Sequence, residues 1–251
     1  SRLYREEPFL GWEETRMLHR AIAKCGRPIV LSLSPGPAHI DRAWEYCRYA
    51  NMWRITDDFW DDWKLLKAMF FRCEMWQDHV REGCFPDCDM LPVGRLGRGF
   101  GQERETNFTK EEQKTMMTLW CMFRSPLMIG AELTLLDDWT LSLFTNRELL
   151  DCMGENCRGT QIMRTGEQAV WINEDSVSGR LCVALFNLGD EERVICVTPE
   201  ELREGGRFLT DTETGNDKTL YELWTKEESR TVSGRIEAPV PAHGVRVYQV
   251  G

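Results

Sequence analysis

Apolar residues in the first 157 positions recur at two different spacings. Apolar residues three and four apart predict helices at residues 13–26, 41–50, from 61 onward, 110–123 and 145–152. The first helix carries a stripe of Leu18, Ala21, Ile22 and Cys25 and ends at Gly26, a residue common just after helices. Between the helices, short apolar runs predict four strands at residues 29–34, 52–56, 89–93 and 126–130.

Strands that alternate with helices and are almost continuously apolar are typical of a parallel sheet covered by helices. A capping box formed by Thr109 and Glu112 marks the start of the helix at 110–123. The first part of the chain is therefore predicted to be an α/β unit.

The pattern changes after Gly159. Short apolar runs separated by Gly, Asp, Asn or Pro continue to the end of the chain and include a predicted strand at 206–211. The spacing leaves no room for helical crossovers, so it predicts an antiparallel β-sandwich of about seven or eight strands. We place the boundary between Cys157 and Thr160, which divides the chain into predicted domains 1–158 and 159–251.

Composition limits the classes of partner. The 251 residues are 42% hydrophobic and carry a formal net charge of −10 at pH 7. No run rich in Lys and Arg stands out, so no binding to nucleic acid is expected. No apolar run approaches the roughly 20 residues of a membrane-spanning helix, and the first ten residues lack the pattern of a signal peptide, so no membrane association is expected.

The ten cysteines invite a metal or disulfide interpretation. Their neighbours are mostly apolar, which favours small core residues inside helices and strands. The close pairs, Cys84 with Cys88 and Cys152 with Cys157, lack the Cys-x-x-Cys spacing of zinc and redox sites. The Gly-rich stretch at 95–101 lacks the phosphate-binding patterns. We therefore expect neither a metal nor a cofactor, and the cysteines slightly favour a reducing, cytoplasmic location.

Polar side chains lie in or beside the predicted strands: Asp87 and Asp89 open the third strand, and the others lie in, at the end of or just after the remaining three. Parallel α/β sheets and barrels bind ligands beyond the C-terminal ends of their strands. The polar side chains are Ser34, Arg54, Asp57, Asp58, Asp87, Asp89 and Glu132. Asp58 is either a functional carboxylate or one that only precedes a helix, and Asp87 and Asp89 are either functional or turn-forming. Asp61 and Asp62 are predicted to begin the next helix. In a third interpretation, the four aspartates of the cluster form an oxygen-rich cation site.

Five motifs, in order and spacing, resemble glycoside hydrolase family 27, the family of α-galactosidases and α-N-acetylgalactosaminidases. They are "GRPIVLSLSPG", "WRITDDFWDDW", "FPDCDMLPVG", "TLWCMFRSPLMIGAEL" and "VPAHGVRVYQV". The resemblance covers almost the whole chain. It implies the C-terminal half of a (β/α)8 TIM barrel, strands 5 to 8, followed by an antiparallel β-sandwich.

The resemblance also implies retaining hydrolysis of a terminal α-linked galactose-type sugar, a reaction that needs two carboxyl groups about 5–5.5 Å apart. Asp58 matches the family's acid/base, Arg54 an arginine that contacts the sugar, and Asp89 an aspartate of the sugar pocket. Asp87 is expected to support that pocket. Ser34 matches a position near the sugar 2-hydroxyl, where serine leaves room for a 2-acetamido group, so an α-N-acetylgalactosaminidase is an alternative.

The family's nucleophile is an aspartate in a Lys-x-Asp motif that precedes the segment matched here. We therefore expect this chain to be a fragment that lacks one catalytic carboxylate and does not by itself hydrolyse glycosides. A fragment that only binds sugar is the alternative from the class of binding modules. The oligomeric state stays open.

Overall fold

The computed structural model describes residues 11–99, 101–206 and 217–251. Helices alternate with short strands in the first part, as the sequence predicts. These elements are α1 (Trp12–Cys25), β1 (Ser32–Leu33), α2 (Ala43–Tyr49), β2 (Met52–Arg54), α3 (Trp63–Trp76), β3 (Phe85–Asp87), β4 (Arg95–Leu96), β5 (Arg104–Glu105), α4 (Lys110–Phe123), α5 (Asp138–Phe144) and α6 (Arg147–Leu150). Single turns of 3-10 helix also occur in this part of the chain, at Ile40–Arg42, Gln77–His79, Leu133–Leu135 and Asp151–Met153.

The strands β1, β2 and β3 form a parallel sheet in that order. Its register pairs Arg54 with Asp87, so the C-terminal ends of β2 and β3 lie side by side. A single parallel bridge between Leu91 and Ile129 continues the arrangement. The sheet therefore brings the ends of successive segments to one edge, which is where the polar cluster was predicted.

Two strand predictions were wrong in position. The third strand is Phe85–Asp87 rather than 89–93, because Asp89 has a φ of 75° and this left-handed conformation interrupts extended backbone. The predicted strand at 126–130 is reduced to the one bridge at Ile129. Pro126 has no N–H to donate, and within the described residues the pairing there does not extend beyond this one bridge.

Helix α1 begins and ends as predicted, with Gly26 in the left-handed conformation after its last turn. Its predicted apolar stripe is not a buried face, since Leu18 is 50% exposed and Cys25 is also exposed. Periodicity therefore located the helix but did not show what covers it.

The remaining strands form a β-sandwich. They are β6 (Cys157–Arg164), β7 (Gln168–Asp175), β8 (Leu181–Asn187), β9 (Arg193–Val197), β10 (Thr219–Glu222), β11 (Glu228–Arg230), β12 (Ile236–Val240) and β13 (Val245–Val250). Six of them form one antiparallel sheet in the order β11-β10-β13-β8-β7-β6, and the pair β12-β9 packs on it through a shared apolar core. A short helix, α7 (Pro199–Gly205), was not predicted.

The beginning of the sandwich differs from the pattern seen in sequence. Strand β6 starts at Cys157 and pairs with β7 across the predicted boundary, so the division at 158/159 falls inside a strand and stays a prediction. The strand predicted at 206–211 lies, from residue 207, outside the described residues.

One apolar core joins the two parts. It contains Trp53, Phe70 and Trp120 from the α/β part and Trp171 and Phe186 from the sandwich. Helix α4 is buried along nearly its whole length because it packs against α3 and also against β6, β7, β8 and β13. Within the described residues, no helix is long and apolar enough to cross a membrane.

Candidate active site

Arg54, the last residue of β2, joins the predicted site residues. Its Nη1 donates to Asp89 Oδ2 at 2.6 Å, and both Nη1 and Nη2 lie 3.2 Å from Asp58 Oδ1. Nη2 also donates to Ser34 Oγ at 3.4 Å. The guanidinium thus holds three side chains that come from the ends of three neighbouring segments, and its fixed planar set of donors orients all of them.

Asp89 is held from several directions. Its backbone N–H donates to Asp87 Oδ1 at 2.8 Å, and its Oδ2 accepts the Phe59 N–H at 2.8 Å as well as Arg54. The Trp120 indole donates to the Asp89 carbonyl at 3.1 Å. These bonds fix a residue whose left-handed backbone is uncommon outside glycine, and such conformations persist where the surroundings determine them.

Asp87 differs from the exposed Asp58 in being buried. Its side chain is buried, and burial raises the pKa of its carboxyl, although the Asp89 amide and Arg54 act in the opposite direction. Its hydrogen bond to the Asp89 amide is a supporting contact. Its role in supporting a sugar pocket stays a prediction.

Asp58 is the most open member of the group, with a side chain 83% exposed. The next residue, Phe59, turns inward and packs against Phe108 and Trp120, with ring centroids 6.2 and 5.1 Å away. Asp58 therefore presents its carboxyl outward from a loop whose following residue is anchored in the core.

The loop after β1 contributes to the site through close backbone contact. The Ala38 N–H donates to the Arg54 carbonyl at 2.8 Å. Any Cβ at Gly36 would overlap the Thr56 carbonyl oxygen and approach the Arg54 Cβ to 2.9 Å. Glycine at this position lets the segment after Ser34 lie directly against the end of β2.

Three other predicted carboxylates have different environments. Asp62 caps α3 and accepts the Lys64 N–H at 2.7 Å, as predicted. The same prediction was wrong for Asp61, which is buried, binds Arg104 at 2.5 and 2.7 Å and accepts the Asn107 N–H. Glu132 contacts the β4 segment, since its N–H donates to the Arg95 carbonyl.

Burial opposes ionisation of Asp61, but the hydrogen bonds from Arg104 and the Asn107 amide outweigh it and lower the pKa of the carboxyl. Sequence reasoning missed this ion pair because its two residues stand 43 positions apart.

The interpretation of four aspartates as a cation site finds no support. Among the described residues, no group of three or more His, Cys, Asp and Glu side chains is arranged to hold a metal ion. All ten cysteines have free thiols, and seven are buried, which agrees with their interpretation as core residues.

Comparison with known proteins gives the family. Residues 4–153 match the family model described as α-galactosidase A, and residues 165–250 match the α-galactosidase C-terminal β-sandwich domain. Crystal structures of a family 27 β-L-arabinopyranosidase from Geobacillus stearothermophilus are 42% identical and superpose with TM-scores of 0.86, in the arabinose complex, and 0.87. Each comparison covers 96% of this chain and 54% of that protein.

A curated relative, α-galactosidase 2 of Arabidopsis thaliana, is 27% identical over 235 residues, which are 92% of this chain and 54% of the relative. The chain thus spans about half the length of the relatives it matches. Its fold is a TIM-barrel fragment followed by a β-sandwich. The chain belongs to the α-galactosidase family, glycoside hydrolase family 27, and corresponds to its C-terminal half.

Proposed function

We propose that this chain contributes half of the active site of a retaining glycoside hydrolase that removes terminal α-linked galactose-type sugars. The observation that carries the proposal is the convergence of Asp58, Asp89 and Ser34 on one guanidinium, Arg54, at the C-terminal edge of a parallel sheet. The α-galactosidase relatives support the class of substrate.

Asp58 acts as the acid/base. In the first step its carboxyl donates a proton to the glycosidic oxygen, and in the second the carboxylate removes a proton from the water that opens the glycosyl intermediate. The exposed position of its side chain suits this task, because the carboxyl has to reach both the leaving group and water. Its contact with Arg54 positions it at the edge of the sugar pocket.

Arg54, Asp89 and Ser34 bind the sugar. Each combines a donor or acceptor with a fixed position, and a site built on hydroxyl recognition rejects sugars whose hydroxyls do not match. Asp87 supports this pocket from below, through the Asp89 amide.

The segments β1, β2, β3 and the bridge at Ile129 correspond in this proposal to barrel strands 5 to 8. The nucleophile comes from polypeptide outside residues 1–251. No Lys-x-Asp motif occurs in this sequence, which supports that assignment.

A β-L-arabinopyranoside is a second candidate substrate. The Geobacillus β-L-arabinopyranosidase is 42% identical to this chain, against 27% for the Arabidopsis α-galactosidase. The two glycosides share the configuration of their ring carbons and differ in the hydroxymethyl group that only galactose carries. Ser34 also leaves room for a 2-acetamido sugar, which keeps the α-N-acetylgalactosaminide as an alternative.

The test is the variant Asp58→Asn in the protein expressed from its natural gene. Turnover of an α-galactosyl disaccharide should fall roughly 10²–10⁴-fold. A 2,4-dinitrophenyl α-galactoside needs little protonation of its leaving group, so it should instead give a rapid burst of dinitrophenol followed by slow turnover. Aryl β-L-arabinopyranoside and 2-acetamido substrates in the same assay decide between the sugars.

Asp62→Asn is the matched control, since asparagine also caps helices and the residue lies outside the pocket. Wild-type turnover in Asp58→Asn would exclude Asp58 as the acid/base. Galactose binding by a wild-type protein that hydrolyses none of these substrates would favour the sugar-binding module instead.

A further inference from the structure

The segment that carries Asp58 alternates between exposed and buried side chains. Asp58 and Trp60 are exposed, whereas Phe59 and Asp61 are buried. Trp60 lies two residues after the acid/base residue and is 36% exposed, although tryptophan is a residue that proteins usually cover.

Beside Trp60 lies a cavity of about 210 Å³. It combines an aromatic face with polar side chains and backbone, and its lining residues are Trp60, Leu96, Gly97, Gly101, Gln102 and Arg104. The cavity is smaller than the roughly 300–1,000 Å³ of pockets for drug-sized ligands, so it has room for about one sugar ring.

The two walls of the cavity are fastened together. Arg104, at the start of β5, binds the buried Asp61, one residue after Trp60. The β4–β5 pair, in which Leu96 lies opposite Arg104, is joined to the same carboxylate through the Asn107 N–H. The cavity is thus held at a fixed position relative to the Asp58 loop, as a binding site requires.

We propose that this cavity binds the leaving-group sugar, with Trp60 as the residue that determines preference for a saccharide leaving group. This inference rests on the proposed function. An acid that protonates the glycosidic oxygen stands between the bound sugar and the leaving group. Arg54 joins Asp58 to Asp89 and Ser34, and the cavity lies beside Trp60, two residues farther along the loop that carries Asp58.

The chemistry of the lining fits a pyranose ring. The indole offers an apolar face to the C–H groups of the ring, and its polar neighbours serve the hydroxyls. Gln102 supplies both a donor and an acceptor, and the Arg104 guanidinium, anchored on Asp61, supplies donors. An apolar platform with a few placed polar groups is the usual composition of a small-molecule site.

The test compares two substrates of the protein expressed from its natural gene: an α-galactosyl disaccharide and α-galactosyl fluoride. The fluoride has no leaving-group sugar. Trp60→Ala should lower kcat/KM for the disaccharide about tenfold, mainly through KM, and leave hydrolysis of the fluoride unchanged. Trp60→Phe keeps an aromatic face and should give an intermediate value.

Trp44→Ala is the matched control, because Trp44 is exposed on α2 and lies outside the cavity. Equal losses on both substrates, or no loss on the disaccharide, would overturn the assignment while leaving the proposed function intact. A wild-type protein that hydrolyses neither substrate would refute the proposed function and, with it, this subsite.

Discussion

Asp61 and Asp62 are neighbouring carboxylates with different roles. Asp62 is exposed and accepts a backbone N–H at the first turn of α3, a contact that neutral caps also make. Asp61 is buried and neutralises Arg104, which holds the β4–β5 hairpin against the loop that carries Asp58. A buried partner in an ion pair is costly to remove, whereas an exposed cap is easily replaced.

We expect Asp61→Asn to lower the free energy of unfolding by about 1–3 kcal/mol, because Arg104 loses its charged partner. Asp62→Asn should stay within about 0.5 kcal/mol of the wild type, since asparagine caps as well as aspartate. Urea unfolding of the two variants measures the difference. Equal free energies for both would show that the Arg104 contact contributes nothing.

The effect of Asp61→Asn should also depend on pH. Because the pKa of Asp61 is lowered in the folded state, its ionised form stabilises the fold at pH values above its usual pKa of 3.8. The contribution is lost as the pH falls through the lower, folded-state pKa. The gap between wild type and variant should therefore be complete at neutral pH and close in acid below about pH 3.8.

For individual residues, local spacing in the sequence predicted the members of the candidate site but not all their contacts. Ser34, Arg54, Asp58 and Asp89 were found because each lies in or beside a predicted strand, although Asp89 was placed at the start of a strand rather than after one. The Asp61–Arg104 pair joins residues 43 positions apart, and no local pattern signals such a contact. Trp60 was visible as an aromatic residue, but only the structure shows that it is partly exposed and lines a cavity.

Helix α4 and strand β6 pack directly against each other where the two parts of the chain meet. Arg124, just after α4, donates to the Cys157 carbonyl at 2.9 Å, and Asn173 in β7 donates to the Met122 carbonyl at 3.3 Å. Gly159 lies so close to α4 that an added Cβ would overlap the Met122 carbonyl oxygen. The backbone contact requires glycine for lack of space, not for its conformational freedom.

Gly159→Ala should therefore destabilise the protein by about 1–3 kcal/mol, because β6 has to move away from α4. Gly166→Ala is the control, since nothing lies within 4 Å of a Cβ at that position. Thermal unfolding of both variants checks the expectation. A Gly159→Ala variant as stable as Gly166→Ala would mean that β6 and α4 adjust to the added methyl group without loss of stability.

Most elements with a local signal were predicted well, including most strands of the sandwich, whereas β3, β6 and the bridge at Ile129 were not. Helix α4 has the predicted bounds because its capping box and apolar spacing are both local. Strand β3 and the bridge at Ile129 depend on partners elsewhere in the chain, so the apolar runs near them predicted strands at the wrong residues. Strand β6 was missed because its polar sequence is buried by β7 and α4 rather than by its own pattern.

At the scale of the whole molecule, the α/β part and the sandwich share one core. The rings of Phe70 in α3 and Phe186 in β8 meet edge to face at 4.9 Å. His243 adds polar and aromatic contacts between the two parts. Its ring nitrogens form hydrogen bonds with Glu112 and Asp190, and its ring stacks on Trp63 with the centroids 3.9 Å apart.

We expect the two parts to unfold in one cooperative transition, because neither buries its apolar face alone. Phe186→Ala should cost about 3–5 kcal/mol and accelerate hydrogen exchange in α4 as well as in β8. Hydrogen exchange followed by mass spectrometry measures both regions in one sample. Faster exchange confined to the sandwich would show that the two parts are energetically separate.

The class of each half of the chain, the position of most helices and the identity of the candidate site residues follow from the sequence without the structure. Those features depend on spacing and on neighbours within one or two turns. The tertiary structure alone decided that Arg54 joins Asp58, Asp89 and Ser34, that Asp61 holds a distant arginine, and that Trp60 opens onto a cavity. These contacts join residues far apart in the chain, and their geometry depends on strand register and packing, which no local pattern contains.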